Sequence, residues 1–182
     1  MRTPYALALD GPPAAACLTR AERHACAALP GAARRADWRA GRLAAKRAIQ
    51  AAGLPAARLT LSISHVAGRG AAIAAPAPAR VGIDLERAGA ARRAHARYFV
   101  TRAERRLVRR LGLTALWTLK EAAWKALDLP SATPFGALEL HADGRGRVVA
   151  VSLYGVRRNA RATISRPWRG FVLAVVWLGE DA

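Results

Sequence analysis

The sequence predicts an α+β fold in which a unit of helices packed on a small, mostly antiparallel sheet occurs twice, related by a pseudo-twofold axis. The chain has 182 residues, 53% of them apolar, and can therefore form a buried core without disulfides or metals. Segments of helical and strand periodicity follow in the same order in both halves. The pentapeptide Thr-Arg-Ala-Glu-Arg starts at Thr19 and again at Thr101, 82 residues later. The spacing of Trp38, Arg42 and Lys46 recurs 79 residues later in Trp117, Glu121 and Lys125.

The first half contains a predicted strand, two helices and further strands. Tyr5–Leu9 is predicted as a strand from its apolar residues and the Gly and Pro that follow. Thr19 and Glu22 have the spacing of a capping box, which predicts a helix start. A second helix is predicted over 33–52, and Gly53 is the signal that ends it. Alternating or short apolar runs predict strands at 59–64, 71–75 and 81–85.

The second half repeats this order, with a helix start at 101–105 and a helix that contains 117–125. Strands are then predicted at 137–141, 148–154, 162–165 and 171–178. We therefore expect an N-terminal lobe over 1–90 and a C-terminal lobe over 91–182, with the functional site between them.

The formal net charge is +18, and only three of the 30 basic residues are lysines. A field this positive attracts anionic partners such as nucleic acid, a phosphorylated cofactor or an acidic protein. The apolar content excludes an intrinsically disordered chain.

No membrane anchor is predicted. The apolar run at 171–178 is shorter than the roughly 20 residues that a spanning helix needs. Asp10, Pro12 and Pro13 interrupt what would be the apolar core of a signal peptide. The two cysteines have no metal-binding spacing. These features predict a cytoplasmic protein.

The segment Val-Gly-Ile-Asp-Leu-Glu, 81–86, carries two acids on one predicted strand. Asp84 and Glu86 are two residues apart, so both side chains leave the same face. Paired carboxylates suit a hard cation such as Mg²⁺, and phosphate oxygens of a substrate commonly complete the coordination shell of this ion. The alternative is a solvated strand end that pairs with Arg87 or another arginine.

The segment Trp-Thr-Leu-Lys-Glu-Ala-Ala-Trp-Lys, 117–125, lies on a predicted helix. Glu121 is flanked by Lys120 and Lys125, two of the three lysines in the chain. The functional interpretation is a site for metal and phosphate. The alternative is a core-facing helix with an ordinary Glu121–Lys125 pair.

Two segments of the first half are candidates for phosphate contacts. Ser64 and His65 end a predicted strand, and Gly68 and Gly70 follow them. Along the helix at 33–52, basic side chains form a stripe on one face. The alternatives are a turn histidine without a role and a solvated helix face. The stripe consists of Arg35, Arg39, Arg42 and Lys46.

In this order, these segments resemble the motifs of the 4′-phosphopantetheinyl transferase superfamily. The resemblance rests on the D-x-E at Asp84 and Glu86 and on the W-T-x-K-E-A-x-x-K helix, in which Glu121 is 37 residues after Asp84. The Ser64–His65 and Gly41–Arg42 segments and the aromatic-plus-Glu segment 98–104 match the flanking motifs. It covers about 34–127 and fits the larger, two-lobed Sfp-like class rather than the half-length trimeric class.

The resemblance implies an enzyme that transfers phosphopantetheine from coenzyme A to a serine of an acidic acyl or peptidyl carrier protein and releases 3′,5′-ADP. It implies that Asp84, Glu86 and Glu121 hold Mg²⁺. Either Glu121 or Glu104 would accept the serine proton, although Glu104 also has capping-box spacing with Thr101. Contacts with coenzyme A are implied for Arg35, Arg42, Ser64, His65, Lys120 and Lys125, and Lys125 also assists catalysis. The enzyme is expected to be a monomer.

Two segments depart from the family pattern. Gly53-Leu-Pro55 stands where many members have a Gly-Lys-Pro loop, and Arg58 is the candidate to replace its lysine. After Lys125 the chain has Ala-Leu-Asp-Leu-Pro, whereas family members usually continue toward a Gly-x-Gly stretch. This loop is expected to contact the carrier differently.

Two rival functions remain open. The charge would suit a basic nucleic-acid-binding module, but the chain lacks the motifs of such modules, which makes nucleic acid a less favoured partner. The third interpretation is a protein that binds coenzyme A without turnover. The complete set of acids argues against it.

Overall fold

The computed structural model describes residues 6–10 and 18–179 and divides the chain into two compact units, through Pro78 and from Ala79 onward. Among these residues, no helix is long and apolar enough to cross a membrane. The first unit contains β1 Ala6–Asp10, α1 Arg20–Ala27, α2 Ala32–Ala52, β2 Leu59–Val66 and β3 Arg69–Pro76. The second contains β4 Arg80–Arg87, α3 Ala96–Phe99, α4 Arg105–Leu111, α5 Leu113–Ala126, β5 Leu138–Ala142, β6 Val148–Leu153, β7 Val156–Ser165 and β8 Phe171–Leu178.

In the first unit, α2 packs across a three-stranded antiparallel sheet of order β1-β3-β2. Their interface is built from alanines, among them Ala44 and Ala48 on the helix and Ala72 and Ala74 on β3. Small side chains allow the helix to approach the sheet closely. At Gly70 a β-carbon would overlap the backbone of α2, so a glycine is needed at this contact.

In the second unit, five antiparallel strands have the order β4-β8-β7-β6-β5. Helix α5 packs against β4 and β8. Its buried residues Leu116, Leu119 and Ala123 belong to a core that also contains Leu140 and Val176. This packing places the helix with the W-T-x-K-E-A-x-x-K motif beside the strand with the D-x-E motif.

The predicted α+β class with mostly antiparallel sheets is confirmed. The capping box of Thr19 and Glu22 is present at the start of α1, and Gly53 ends α2 in the left-handed conformation. β7 is longer than predicted, whereas β8 has the predicted bounds. Tyr5, the first residue of the predicted strand 5–9, lies outside the described residues.

The two units share one connectivity. In each, the first strand pairs with the last, and the last also pairs with the strand before it, giving β1-β3-β2 and β4-β8-β7. The pseudo-twofold relation stays a prediction. The division at Pro78 differs from the predicted boundary at residue 90, because β4 pairs with β8 and packs on α5.

Candidate active site

The acidic side chains of β4 and one face of α5 have matching spacings. Four residues along a helix advance about 6 Å, and two residues along a strand advance about 6.6 Å. Trp117 therefore lies beside Glu86 and Glu121 beside Asp84. Lys125, one helical turn after Glu121, also contacts Asp84. The D-x-E strand and the Trp-x3-Glu-x3-Lys helix face form one continuous contact.

Three carboxylates come together at this contact. One oxygen from each of Asp84, Glu86 and Glu121 lies within 4.8 Å of the others. Asp84 is only 3% exposed. The alternative of a solvated strand end is therefore excluded for Asp84. We call Asp84, Glu86 and Glu121 the acidic cluster.

Lys125 contacts the acidic cluster from the last turn of α5. Its Nζ lies 2.8 Å from Asp84 Oδ1 and donates to the carbonyl of Ile83 at 3.1 Å. About a third of the Lys125 side chain remains exposed. One cation thus partly offsets three carboxylates and keeps a solvent-accessible side.

The electrostatics of the acidic cluster favour protonation of Glu121. Burial, the charge of Asp84 and a hydrogen bond with Asp84 raise the pKa of Glu121 to about 9, and the charge of Lys125 opposes this only in part. Burial and the charge of Asp84 also raise the pKa of Glu86, against a lowering hydrogen bond from Trp117. Protonation of Glu121 would reduce the mutual repulsion of the three carboxylates where no cation is bound.

The acidic cluster fits a hard divalent cation. All three groups offer carboxylate oxygens, the ligands that Mg²⁺ prefers, and the exposed side of the site leaves room for water or substrate oxygens. A cation would replace the proton on Glu121 and relieve the repulsion that raises its pKa. The donor set thus agrees with the sequence prediction of a magnesium site, and the assignment of these ligands stays a prediction.

A cavity of about 660 Å³ opens beside Glu86. Small and polar residues line part of it, and five aromatic side chains line the rest: Tyr98, Phe99, Trp117, Trp124 and Phe135. The volume lies within the roughly 300–1,000 Å³ typical of small-molecule sites. We call it the aromatic cavity.

Sequence reasoning did not find the aromatic cavity or the hydrogen bond from Trp117 Nε1 to Glu86 Oε1, at 3.2 Å. Part of the cavity wall comes from the loop 131–134, which has no periodic pattern, and from Phe135, which begins a short 3-10 helix. The available signal was the spacing of Trp117 and Trp124, one on each side of Glu121.

Glu104 and Lys120 occupy a different environment from the one predicted. They form an ion pair at 3.0 Å, and neither side chain has exposed surface. Glu104 also accepts backbone N–H groups of Thr101 and Leu140, and Lys120 donates to the carbonyl of Phe99. Both side chains are thus enclosed, and the predicted roles of Glu104 as proton acceptor and of Lys120 as a coenzyme A contact stay predictions. Both side chains join α5 to β5 and to the end of α3.

Only half of the capping box predicted at Thr101 and Glu104 is present. The Thr101 N–H donates to Glu104, but within the described part of the chain the Thr101 hydroxyl has no hydrogen-bond partner. Helix α4 begins at Arg105, so that Glu104 itself occupies the N-cap position.

The predicted phosphate-binding residues of the first unit have mixed environments. Arg42 is exposed and lies over the Trp38 ring at 5.1 Å, whereas Arg35 donates to the carbonyl of Leu29. Ser64 is buried, and His65 is exposed. The basic stripe is interrupted further because Lys46 pairs with Glu22. Their contacts with coenzyme A stay predictions.

Comparison with known proteins identifies the family. The sequence model of the 4′-phosphopantetheinyl transferase superfamily matches residues 80–176, more than half of the chain. The chain therefore belongs to this superfamily. The matched range contains the whole acidic cluster and the aromatic cavity.

The chain is also similar to solved structures. Holo-[acyl-carrier-protein] synthase of Thermotoga maritima matches with 25% sequence identity and a TM-score of 0.45, covering 56% of this chain. The match covers 63% of that chain, less than two thirds of its length. A search of curated proteins found no match.

Proposed function

We propose that the protein transfers the 4′-phosphopantetheine group of coenzyme A to a serine of an apo acyl or peptidyl carrier protein, with Mg²⁺ as the cofactor. The observation that carries this proposal is the acidic cluster of Asp84, Glu86 and Glu121, within the segment that matches the superfamily. We also propose the two-lobed, monomeric Sfp-like class. The shared connectivity of β1-β3-β2 and β4-β8-β7 supports it.

The proposed reaction is a displacement at phosphorus. The serine oxygen bonds to the phosphorus that carries the pantetheine, and the bond from that phosphorus to the bridging oxygen breaks. The electron pair of that bond leaves with 3′,5′-ADP. Such transfers depend mainly on positioning and on stabilising charge at the phosphate oxygens. Mg²⁺ held by the acidic cluster would supply that stabilisation.

The residues of α5 divide the remaining tasks. Lys125 has an exposed side and a compact positive charge suited to a phosphate oxygen. Of the two carboxylates predicted as proton acceptor, Glu121 belongs to the acidic cluster, whereas Glu104 is enclosed by its own donors. We therefore assign the serine proton to Glu121, directly or through a water molecule.

The aromatic cavity suits the pantetheine arm of coenzyme A. The arm is a long, uncharged chain with methyl and amide groups, and it begins at the phosphate that reacts. The cavity begins at Glu86 and has aromatic walls. An arm in this cavity would keep its phosphate beside the acidic cluster.

The net charge of +18 favours an acidic partner. A carrier protein with acids around its serine would be attracted before it docks, and added salt would slow that association. Exposed Arg42 and His65 remain the first unit's proposed contacts with coenzyme A.

Intact-mass spectrometry of an apo carrier incubated with the protein, coenzyme A and Mg²⁺ tests the function. We expect one phosphopantetheine per carrier and none on a carrier whose serine is replaced by alanine. Coenzyme A binding without any mass gain would support the non-catalytic interpretation. Tight polyanion binding with neither coenzyme A binding nor mass gain would support the nucleic-acid module.

A further inference from the structure

Trp117 contacts both the acidic cluster and the aromatic cavity. Its indole Nε1 donates to Glu86 Oε1 at 3.2 Å. Its ring lies 4.9 Å from Phe99 in an edge-on arrangement and 4.6 Å from Phe135, measured between ring centroids. Both phenylalanines line the cavity. One side chain therefore forms part of the cavity wall and also holds a carboxylate of the cluster.

We propose that Trp117 is a positioning residue that couples the two sites, so that a chain in the aromatic cavity and a divalent cation at the acidic cluster bind with positive cooperativity. The identity of that chain as the pantetheine arm rests on the proposed function. The coupling itself requires only that the cavity and the cluster can both be occupied.

The physical basis is the orientation of Glu86. Its Oε1 accepts the indole N–H, which restricts the orientation of the carboxylate within the cluster, where Glu86 also shares a hydrogen bond with Glu121. The indole hydrogen bond persists only while the indole ring keeps its place between Phe99 and Phe135. A ligand packed against the ring restricts its motion, so less conformational entropy is lost when a cation then orders Glu86.

Trp124 provides a matched comparison within the same cavity. Its ring also packs on Phe135, with the centroids 4.1 Å apart. Its Nε1, however, donates to the backbone carbonyl of Leu129 at 2.8 Å, not to a carboxylate of the cluster. Loss of the Trp124 donor should alter the cavity wall without disturbing Glu86.

The test uses Mn²⁺ as a spectroscopic substitute for Mg²⁺ and free pantetheine as the cavity probe. Unbound Mn²⁺ is measured by electron paramagnetic resonance in titrations of the full chain, with and without pantetheine. We expect pantetheine to tighten Mn²⁺ binding by about fivefold or more, the lower range of typical coupling between sites. Mn²⁺ must tighten pantetheine binding by the same factor, because the coupling is reciprocal.

The variants assign the coupling to Trp117. Trp117→Phe retains a ring but no donor and should lose the cooperativity, whereas Trp124→Phe should keep it. Phe135→Leu, which retains the Trp117 donor but removes one supporting ring, should reduce it and serves if Trp117→Phe fails to fold. Absence of pantetheine binding, equal cooperativity in Trp117→Phe and wild type, or loss in Trp124→Phe as well would overturn the proposal.

This experiment is separable from the proposed function. The titrations contain no coenzyme A and no carrier. Cooperativity without any transfer in the mass-spectrometric assay would retain the coupling and reject the transferase activity. Transfer without cooperativity would retain the transferase activity and reject the coupling.

Discussion

Gly82 on β4 lies directly against the backbone of Ala122 on α5, so closely that a β-carbon on Gly82 would overlap the carbonyl oxygen of Ala122. Gly82 is two residues before Asp84, and Ala122 follows Glu121. The contact therefore fixes how near the strand and helix carboxylates come to each other. A glycine is required here by space, not by a positive φ.

Gly82→Ala should separate α5 from β4 and weaken the acidic cluster. Overpacking of this kind typically costs about 1–3 kcal/mol of stability. Backbone is the obstacle here, so the cost should reach at least the upper end of that range. Urea denaturation measures it, and Mn²⁺ titration reports the cluster. Gly144→Ala is the matched control, because a β-carbon there meets no atom within 4 Å. Unchanged stability in Gly82→Ala would contradict the close packing.

The raised pKa of Glu121 predicts that the metal-free protein loses stability as the pH rises. The pKa is about 9 in the folded protein, against an ordinary value of 4.5. The proton therefore stabilises the fold fully below about pH 4.5, and this contribution is lost as the pH rises toward 9. Saturating Mg²⁺ should flatten the loss, because the cation binds the deprotonated carboxylate.

Urea denaturation at several pH values between about 5 and 9, with and without Mg²⁺, tests this linkage. Glu121→Gln is the control, since it keeps the shape of the side chain and cannot titrate. We expect the variant's free energy of unfolding to depend less on pH than that of the metal-free wild type. Equal pH dependence in the two proteins would show that Glu121 is not protonated in the metal-free cluster.

The Glu104–Lys120 pair should be essential for stability and dispensable as an acid or base. Glu104→Ala leaves the Lys120 charge buried without its partner, which typically costs about 3–5 kcal/mol. Glu104→Leu combined with Lys120→Met should cost less than Glu104→Ala alone, because no charge then remains buried. Denaturation curves of wild type, Glu104→Ala and the double variant measure these differences in stability. A stable Glu104→Gln variant that has lost turnover would instead restore the catalytic role.

Arg42→Ala and His65→Ala should weaken coenzyme A binding without unfolding the protein, since both side chains are exposed. Loss of a charged phosphate contact typically costs about 1.5–3 kcal/mol, or about ten- to a hundredfold in affinity. Calorimetry with coenzyme A and with dephospho-coenzyme A separates the sites of contact. If Arg42→Ala weakens both ligands equally, Arg42 does not contact the 3′-phosphate.

The acidic cluster could be predicted from sequence because its spacings are local. Asp84 and Glu86 share a strand face, and Trp117, Glu121 and Lys125 share a helix face, whatever the rest of the fold. The family resemblance supplied the pairing of that strand with that helix. Lys125 nevertheless contacts Asp84, a partner 41 residues away that an i,i+4 rule does not indicate.

The environments of Glu104 and Lys120 could not be predicted in the same way. Glu104 accepts from Leu140, 36 residues away, and Lys120 donates to Phe99, 21 residues away, whereas a charged residue in a motif suggests a solvent-facing site. The aromatic cavity could not be predicted for the same reason, because its walls come from α5, the end of α3 and an irregular loop. Periodicity describes one element at a time and does not show which surfaces enclose a space.

If the acidic cluster supports phosphopantetheine transfer through a bound cation, loss of one of its carboxylates must slow the reaction. The most direct measurement is the initial rate of carrier modification at fixed Mg²⁺ for wild type, Asp84→Asn and the control Asp143→Asn, whose site is a turn outside the cluster. Several kcal/mol of transition-state stabilisation depend on that cation, so Asp84→Asn should be slower by more than about a hundredfold. Asp143→Asn should have the wild-type rate, and excess chelator should abolish the rate of wild type and of Asp143→Asn. Near-normal transfer by Asp84→Asn, or by wild type in excess chelator, would show that transfer does not depend on a cation at the acidic cluster.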